Sequence, residues 1–391
     1  MKVLFVTHYS GFGGANQSLL HLARLLRDRH GVEPLILLPY KGTVEEEIKK
    51  HGIRYDIIRF ASWRGPRTGL MRLIYGVGAI VLNAISAIRI AWRYRKEHID
   101  VVHANSSLAF FGWCYGKLTS IPVVWHIREY GGQEDYCNLI FFYGERISGL
   151  VYGTASACVA ISEAIKRRYS EFIRPCGNIH TIYNGIDVDY ARTQMEADDT
   201  AINELRGFKL AFVGGINYTK NPFEIVRALS LIKTKGELRD IHLYLVGDGK
   251  KEDKARLASE IEEVGLDDRV HVLGFRENIW PLLSRMDVSI VPSVQEGFGR
   301  TAVEGMICAL PVIATDTGGL PEVVLNGETG FIYKQGDVKA LAEKILLLRE
   351  DEVLRRRLGH AGHERAINLF GADSNADRVF DLYGKVMGKG K

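Results

Sequence analysis

What this chain has little of narrows its class. Its five cysteines, Cys114, Cys137, Cys158, Cys176 and Cys308, form no CxxC pair and no metal-ligand spacing, and their number is odd. A disulfide framework and a structural zinc site are set aside, and buried thiols in a reducing cytosol are expected. Charge of one sign is also scarce: the net charge is only +4, so composition gives no case for a nucleic-acid partner. The N-terminus, MKVLFVTHYS, has one lysine and a short apolar run, which reads as a first strand and not as a signal peptide. Long apolar runs are missing too. The most apolar part of the first half, residues 73–88, holds sixteen uncharged residues and is interrupted by Asn83, short of the roughly 20 that a bilayer crossing needs.

What is present is ordinary for a soluble globular protein, 46% apolar and 25% charged in 391 residues. That length exceeds what one core usually takes, so two domains are expected. The chain alternates strands and helices: strands at 3–7, 35–38, 99–104, 122–126, 157–162 and 181–183, then 209–213, 241–246, 270–273, 287–291 and 311–315. Such alternation implies parallel sheets with helices on both faces. The loop GFGGAN joins the first strand to the first helix, yet the glycine that a GxGxxG fingerprint requires falls on Asn16. A nicotinamide-binding Rossmann enzyme is therefore disfavoured.

The stretch 287–320, DVSIVPSVQEGFGRTAVEGMICALPVIATDTGGL, reads as strand, loop, helix, strand. Its loop carries Glu296, Gly297, Phe298 and Gly299, and the helix carries Glu304 on its second turn. A helix start leaves amide N–H groups unpaired and favours a phosphate. Two carboxylates would repel that phosphate if they faced it, so they must hold something else, and a carboxylate suits a vicinal diol. A nucleotide sugar lying across a helix N-terminus satisfies all three features: Glu296 on the sugar, the loop amides on the diphosphate, Glu304 on the ribose. The plain alternative is a helix cap and a solvated glutamate.

The spacing from Glu296 to Glu304 resembles the E-x7-E motif of family 4 of the glycosyltransferases, retaining enzymes of the GT-B fold. NGID at 184–187 and VGDG at 246–249 resemble the same family, and the likeness covers nearly the whole chain. It implies an α/β GT-B protein: two doubly wound Rossmann-like domains with parallel sheets facing across a cleft. Residues 1–190 would form the acceptor domain, with a final helix at 370–391 packing back on it. Residues 205–368 would form the donor domain, and the polar run 193–203 a linker.

The resemblance also implies roles. Glu296 meets the donor sugar and Glu304 the ribose, with Gly297, Phe298, Gly299, Arg300 and Thr301 around the diphosphate. Lys220 matches the lysine of the family's diphosphate clamp, but Gly215 stands where the family carries arginine, so Arg300 is expected to supply that charge. Arg276 lies near the base. Gly13 and Gly14 let donor or acceptor approach from the other domain, and His126, ending the strand PVVWH, sits beside the transferred sugar. His103 and Asn105 end the neighbouring strand and are assigned to the acceptor side. Asp187 and Asp189 read as turn and cap residues and not as a metal site, and no cofactor is expected.

The implied reaction moves a hexose-type sugar from a nucleotide diphosphate donor, UDP foremost, to a glycan or polyprenyl-linked acceptor in bacterial surface polysaccharide synthesis. An epimerase of the same fold and a binding subunit with an eroded site remain open. The run 73–88 is flanked by Arg64, Arg67, Arg72, Arg89, Arg93, Arg95 and Lys96, with Trp63 and Trp92 near its ends. It reads either as a half-buried helix or as a face lying on anionic membrane.

Overall fold

The computed structural model describes residues 1–11, 13–63, 70–130, 144–174 and 178–388. Arg64, Arg67, Cys137 and Cys176 lie outside them, as does the side chain of Arg72. The chain splits into two compact units, Met1–Gly185 with Ala372–Lys391, and Ile186–Gly371.

The first unit runs β1 (Lys2–Thr7), α1 (Gly14–His30), β2 (Glu33–Leu38), α2 (Val44–Lys50), β3 (Arg54–Ile57), α3 (Leu70–Arg93), β4 (Val101–Asn105), α4 (Phe110–Thr119), β5 (Val123–Ile127), α5 (Gly144–Gly153), β6 (Ala157–Ala160), α6 (Glu163–Ser170) and β7 (Ile179–Thr181). Its sheet is parallel in the order β3-β2-β1-β4-β5-β6-β7. The central strands are buried on both faces, as a parallel sheet covered by helices requires. Two details depart from expectation. β3 went unread because its sequence, RYDI, is short, polar and half exposed, the usual character of an edge strand. α3 extends over 24 residues, and Asn83 does not interrupt it. Asn83 is buried and makes two hydrogen bonds to the backbone of Ala61, its Oδ1 accepting from N at 2.8 Å and its Nδ2 donating to O at 3.1 Å.

The second unit runs α7 (Val188–Met195), a 3-10 turn (Thr200–Glu204), β8 (Phe208–Val213), α8 (Phe223–Thr234), β9 (Ile241–Val246), α9 (Lys251–Glu263), β10 (Val270–Gly274), α10 (Trp280–Leu283), β11 (Val288–Val291), α11 (Arg300–Ile307), β12 (Val312–Thr315), α12 (Leu320–Val323), β13 (Gly330–Tyr333), α13 (Val338–Glu350) and α14 (Glu352–Phe370). Its sheet is parallel as well, in the order β10-β9-β8-β11-β12-β13. The polar run 193–203 is not a bare linker. It ends α7, which Asp187 caps by accepting from the Tyr190 amide at 2.9 Å, and forms the 3-10 turn. Polar side chains hold it: Gln194 accepts from Asn278 at 2.9 Å, and Asp199 pairs with Arg276. Such contacts leave no apolar period in the sequence.

The chain closes with α15 (Ala372–Gly388), part of the first unit. Ala376, Val379, Leu382, Tyr383 and Val386 join the core between β1 and α1. Arg29 and His30 at the end of α1 meet Asp373 and Asp377 at 3.0 and 2.8 Å.

Candidate active site

In a doubly wound sheet, ligands bind beyond the carboxyl ends of the strands where the strand order reverses. In the second unit that point lies between β8 and β11. The loops that follow these two strands are joined there by the Val294 amide, which donates to Thr219 O at 2.8 Å. Lys220, on the first loop, places its Nζ 2.5 Å from Glu296 Oε2 on the second. The Lys220 amide is fixed by Asn217 Oδ1 at 2.9 Å. Next to it, Asn221 takes a left-handed conformation, φ 52°, and donates to Glu224 Oε2 at 2.6 Å. Glu224 is buried and also accepts from the Gly336 amide at 3.1 Å. Burial raises its pKa, and these bonds pull it back.

The loop 296–299 lies against the turn at 317–320, where the Gly319 amide donates to Glu296 O at 3.0 Å. Gly318, at φ 55°, has no room for a Cβ, which would collide with the Glu296 carbonyl. Gly299 is the N-cap of α11 with φ 99°, a conformation that only glycine adopts without strain. Phe298 turns its ring inward onto Phe370, centroids 5.4 Å apart, and anchors the loop. Gly297 precedes it, and Arg300 and Thr301 open the helix. Arg300 Nε donates to Glu304 Oε1 at 2.9 Å. Glu304 is buried; burial raises its pKa, opposed by Arg300 and Lys220.

Four charges thus stand as two opposed pairs around one helix start. Gly215 adds none: a Cβ there would approach Asn217 Nδ2 to 2.6 Å, so the asparagine occupies the space a longer residue would need. Arg276 is not brought to this group. Its Nη1 binds both oxygens of Asp199, at 2.9 and 2.6 Å.

In the first unit the order reverses between β1 and β4. The loop after β1 is closed by Asn16, which accepts from Thr7 Oγ1 at 2.6 Å and donates to the carbonyls of Tyr9 and Gly11 at 3.1 and 2.8 Å. Gly13 caps α1 beside the Tyr9 hydroxyl, while a side chain at Gly14 would meet open space. In the middle of β4 and near the end of β5, His103 and His126 are fully buried neighbours. Tyr383 of α15 lies 2.6 Å from His103 Nδ1, His103 Nε2 lies 3.1 Å from His126 Nδ1, and Arg128 Nη2 lies 3.4 Å from that same Nδ1.

Arginine can only donate, so the network assigns His126 Nδ1 as acceptor. The chain then runs one way: Tyr383 O–H to His103, His103 Nε2–H to His126. His126 is left with its proton on Nε2, which has no hydrogen-bond partner among the described residues. Burial, reinforced by Arg128, lowers the pKa of His103 to about 3 and that of His126 well below its usual value. Both are neutral. With both ring nitrogens engaged, His103 is a support for His126 and not itself an acceptor contact. Arg128 also donates to Asn105 Oδ1 and Asn184 Oδ1, each at 2.6 Å, tying NGID to the end of β4.

Residues 12–190 match the family described as Glycosyltransferase Family 4, and residues 196–365 match Glycosyl transferases group 1. The chain belongs to the group 1, family 4-like glycosyltransferases. N-acetyl-alpha-D-glucosaminyl L-malate synthase of Bacillus anthracis is 26% identical over 307 residues, 75% of this chain and 76% of that protein. The capsular polysaccharide biosynthesis glycosyltransferase CapM of Staphylococcus aureus is 29% identical over 315 residues, 78% of this chain and 82% of its own. Among solved structures, Anabaena Alr3699/HepE in complex with UDP-glucose superposes with a TM-score of 0.79 at 24% identity, covering 98% of this chain and 100% of that one. The shared fold is GT-B.

In this glycosyltransferase the residues that sequence reasoning missed are those that hold others in place: Asn16, Arg128, Asn217, Glu224 and Tyr383. Apart from Asn217, which holds the Lys220 amide of its own loop, they have partners on other elements, and only Asn16, standing where a fingerprint glycine was missing, left a visible trace. Among the described residues no cluster suited to a metal ion occurs.

Proposed function

We propose that this glycosyltransferase moves a hexose-type sugar from a nucleoside diphosphate donor, a UDP-sugar foremost, to a hydroxyl of a glycan or polyprenyl-linked glycan. The anomeric configuration is retained. The carrying observation is the double pair at the start of α11, Lys220 with Glu296 and Arg300 with Glu304. An ammonium has three donors, so Lys220 can hold Glu296 and still face diphosphate oxygens. Arg300 binds Glu304 through Nε, which leaves its two Nη groups to the same oxygens and substitutes for the charge absent at Gly215.

Breaking the bond from the anomeric carbon to the diphosphate oxygen sends the electron pair to the diphosphate. Lys220, Arg300 and the amides of Phe298 and Gly299 stabilise that charge. The acceptor oxygen attacks from the leaving-group face, and its proton passes to the departing diphosphate. Glu296 orients the sugar hydroxyls and Glu304 takes the ribose diol; in the first unit, His126 Nε2–H is a donor suited to a sugar hydroxyl. Arg276, held by Asp199, supports the loop beside the base. UDP-glucose in the HepE complex and the biosynthetic role in CapM's name support the donor and acceptor classes. A polyprenyl-linked acceptor would bring the protein to the inner face of the cytoplasmic membrane.

The test is nucleotide diphosphate release from a panel of UDP-, GDP- and ADP-sugars. One donor should turn over, with release abolished in Glu296→Ala and Glu304→Ala. Absence of both turnover and calorimetric binding for every donor would overturn the reading.

A further inference from the structure

α3 is inverted. It buries small and polar residues, Ala79, Asn83, Ser86 and Ala87, and exposes Ile74, Tyr75, Val77, Ile80, Val81, Ile85, Ile88 and Trp92, each between 41 and 69% accessible. Its rotation is pinned by polar contacts: Asn83 with Ala61, and the Ser86 hydroxyl donating to Arg59 O at 2.6 Å. Ala87, Ile90 and Tyr94 enter the core beside Phe60 and Phe111, so the apolar stripe must face outward. By length and composition the segment Ile74–Arg93 could cross a membrane, yet a third of it is buried in the first unit. Exposed apolar area of this extent marks an interaction surface.

Charge decides what covers it. Residues 57–96 contain eight arginines or lysines and no aspartate or glutamate. Arg59, Arg89, Arg93, Arg95 and Lys96 are exposed. Arg95 stacks on Trp92, 4.3 Å from the ring centroid, at the end of the stripe. Arg93 is answered by Asp56 at 2.7 Å; a second copy of this face would still set the other cations against cations, whereas an anionic lipid surface supplies the missing charge. An apolar groove of about 440 Å³ between Ala61 and the first turns of α3, floored by Gly78 and Ala79, gives the acyl region a place to enter.

We propose that α3 is a monotopic docking face for an anionic bilayer leaflet, lying in its plane with Trp92 and the cations at headgroup level. The membrane-held acceptor proposed above gives this face a use, but the face itself stands on α3 alone.

The test is sedimentation of the full chain with vesicles of phosphatidylcholine alone and with one part in three of phosphatidylglycerol. We expect binding to the anionic vesicles only, weakened by salt and reduced at least about tenfold in Val81→Gln/Ile85→Gln/Ile88→Gln. Arg89→Glu/Lys96→Glu should weaken it as well. Diphosphate release from a soluble donor should be unchanged in both variants, so loss of docking and loss of catalysis are read separately. Equal binding to neutral vesicles, or none to either, would overturn the proposal. So would a dimer of the wild type by light scattering that the triple variant abolishes, since a second copy would then cover the face.

Discussion

The two units handle charge in opposite ways. Around α11, four ionised side chains stand as two pairs, the cations Lys220 and Arg300 31% and 29% exposed and their carboxylates Glu296 and Glu304 13% and 8%. On β4 and β5, two wholly buried imidazoles are kept neutral and polarised in one direction by Tyr383 and Arg128. The first arrangement can exchange partners with an anionic ligand at little cost. The second is fixed and presents a single N–H. The first suits a charged ligand whose charge changes, the second a neutral hydroxyl.

The comparison breaks most visibly at the cations. Lys220→Ala should lower the rate of diphosphate release by about 100-fold or more, the usual loss on removing one donor to a developing anion. Arg300→Ala should weaken donor affinity roughly tenfold. Arg276→Ala should leave affinity within about twofold but reduce stability by about 1–3 kcal/mol, because Asp199 is 12% exposed and loses both of its bonds from Arg276 Nη1. Calorimetry and denaturant unfolding separate the two effects. Equal small losses of affinity for Arg300 and Arg276 would remove Arg300 from the diphosphate site.

The histidine pair yields a smaller effect, of defined sign. Unfolded histidines titrate near 6.5, while the fold holds His103 near 3 and His126 far below its usual value. Below pH 6.5 the unfolded chain therefore binds more protons. The stability these groups contribute is complete above 6.5 and drains as the pH falls toward 3. His103→Asn/His126→Asn should be less stable at pH 8, yet lose stability between pH 6.5 and 5 less steeply, by about 1.4 kcal/mol per pH unit for each histidine removed. Parallel slopes would mean that the pair is not held neutral.

How legible each region was in the sequence follows from the same contrast. The βα alternation exposed both parallel sheets, because strands buried on two faces are continuous apolar runs. Glu296, Glu304 and their glycines lie within nine consecutive residues, so spacing alone carried them. The chain from Tyr383 to His126 spans more than 250 positions, and no local pattern records it. β3 escaped for want of apolar residues, and the four-residue β13, GFIY, was not expected either. The 24-residue α3 was under-read because Asn83, an anchor to Ala61, interrupts hydropathy without interrupting the helix.

The most direct test of retaining transfer at this site is the anomeric configuration of the sugar first formed when the preferred donor is slowly hydrolysed, followed by proton NMR before mutarotation. Front-face attack predicts the donor's own anomer, produced by the wild type and not by Lys220→Ala. The opposite anomer from the wild type would contradict it.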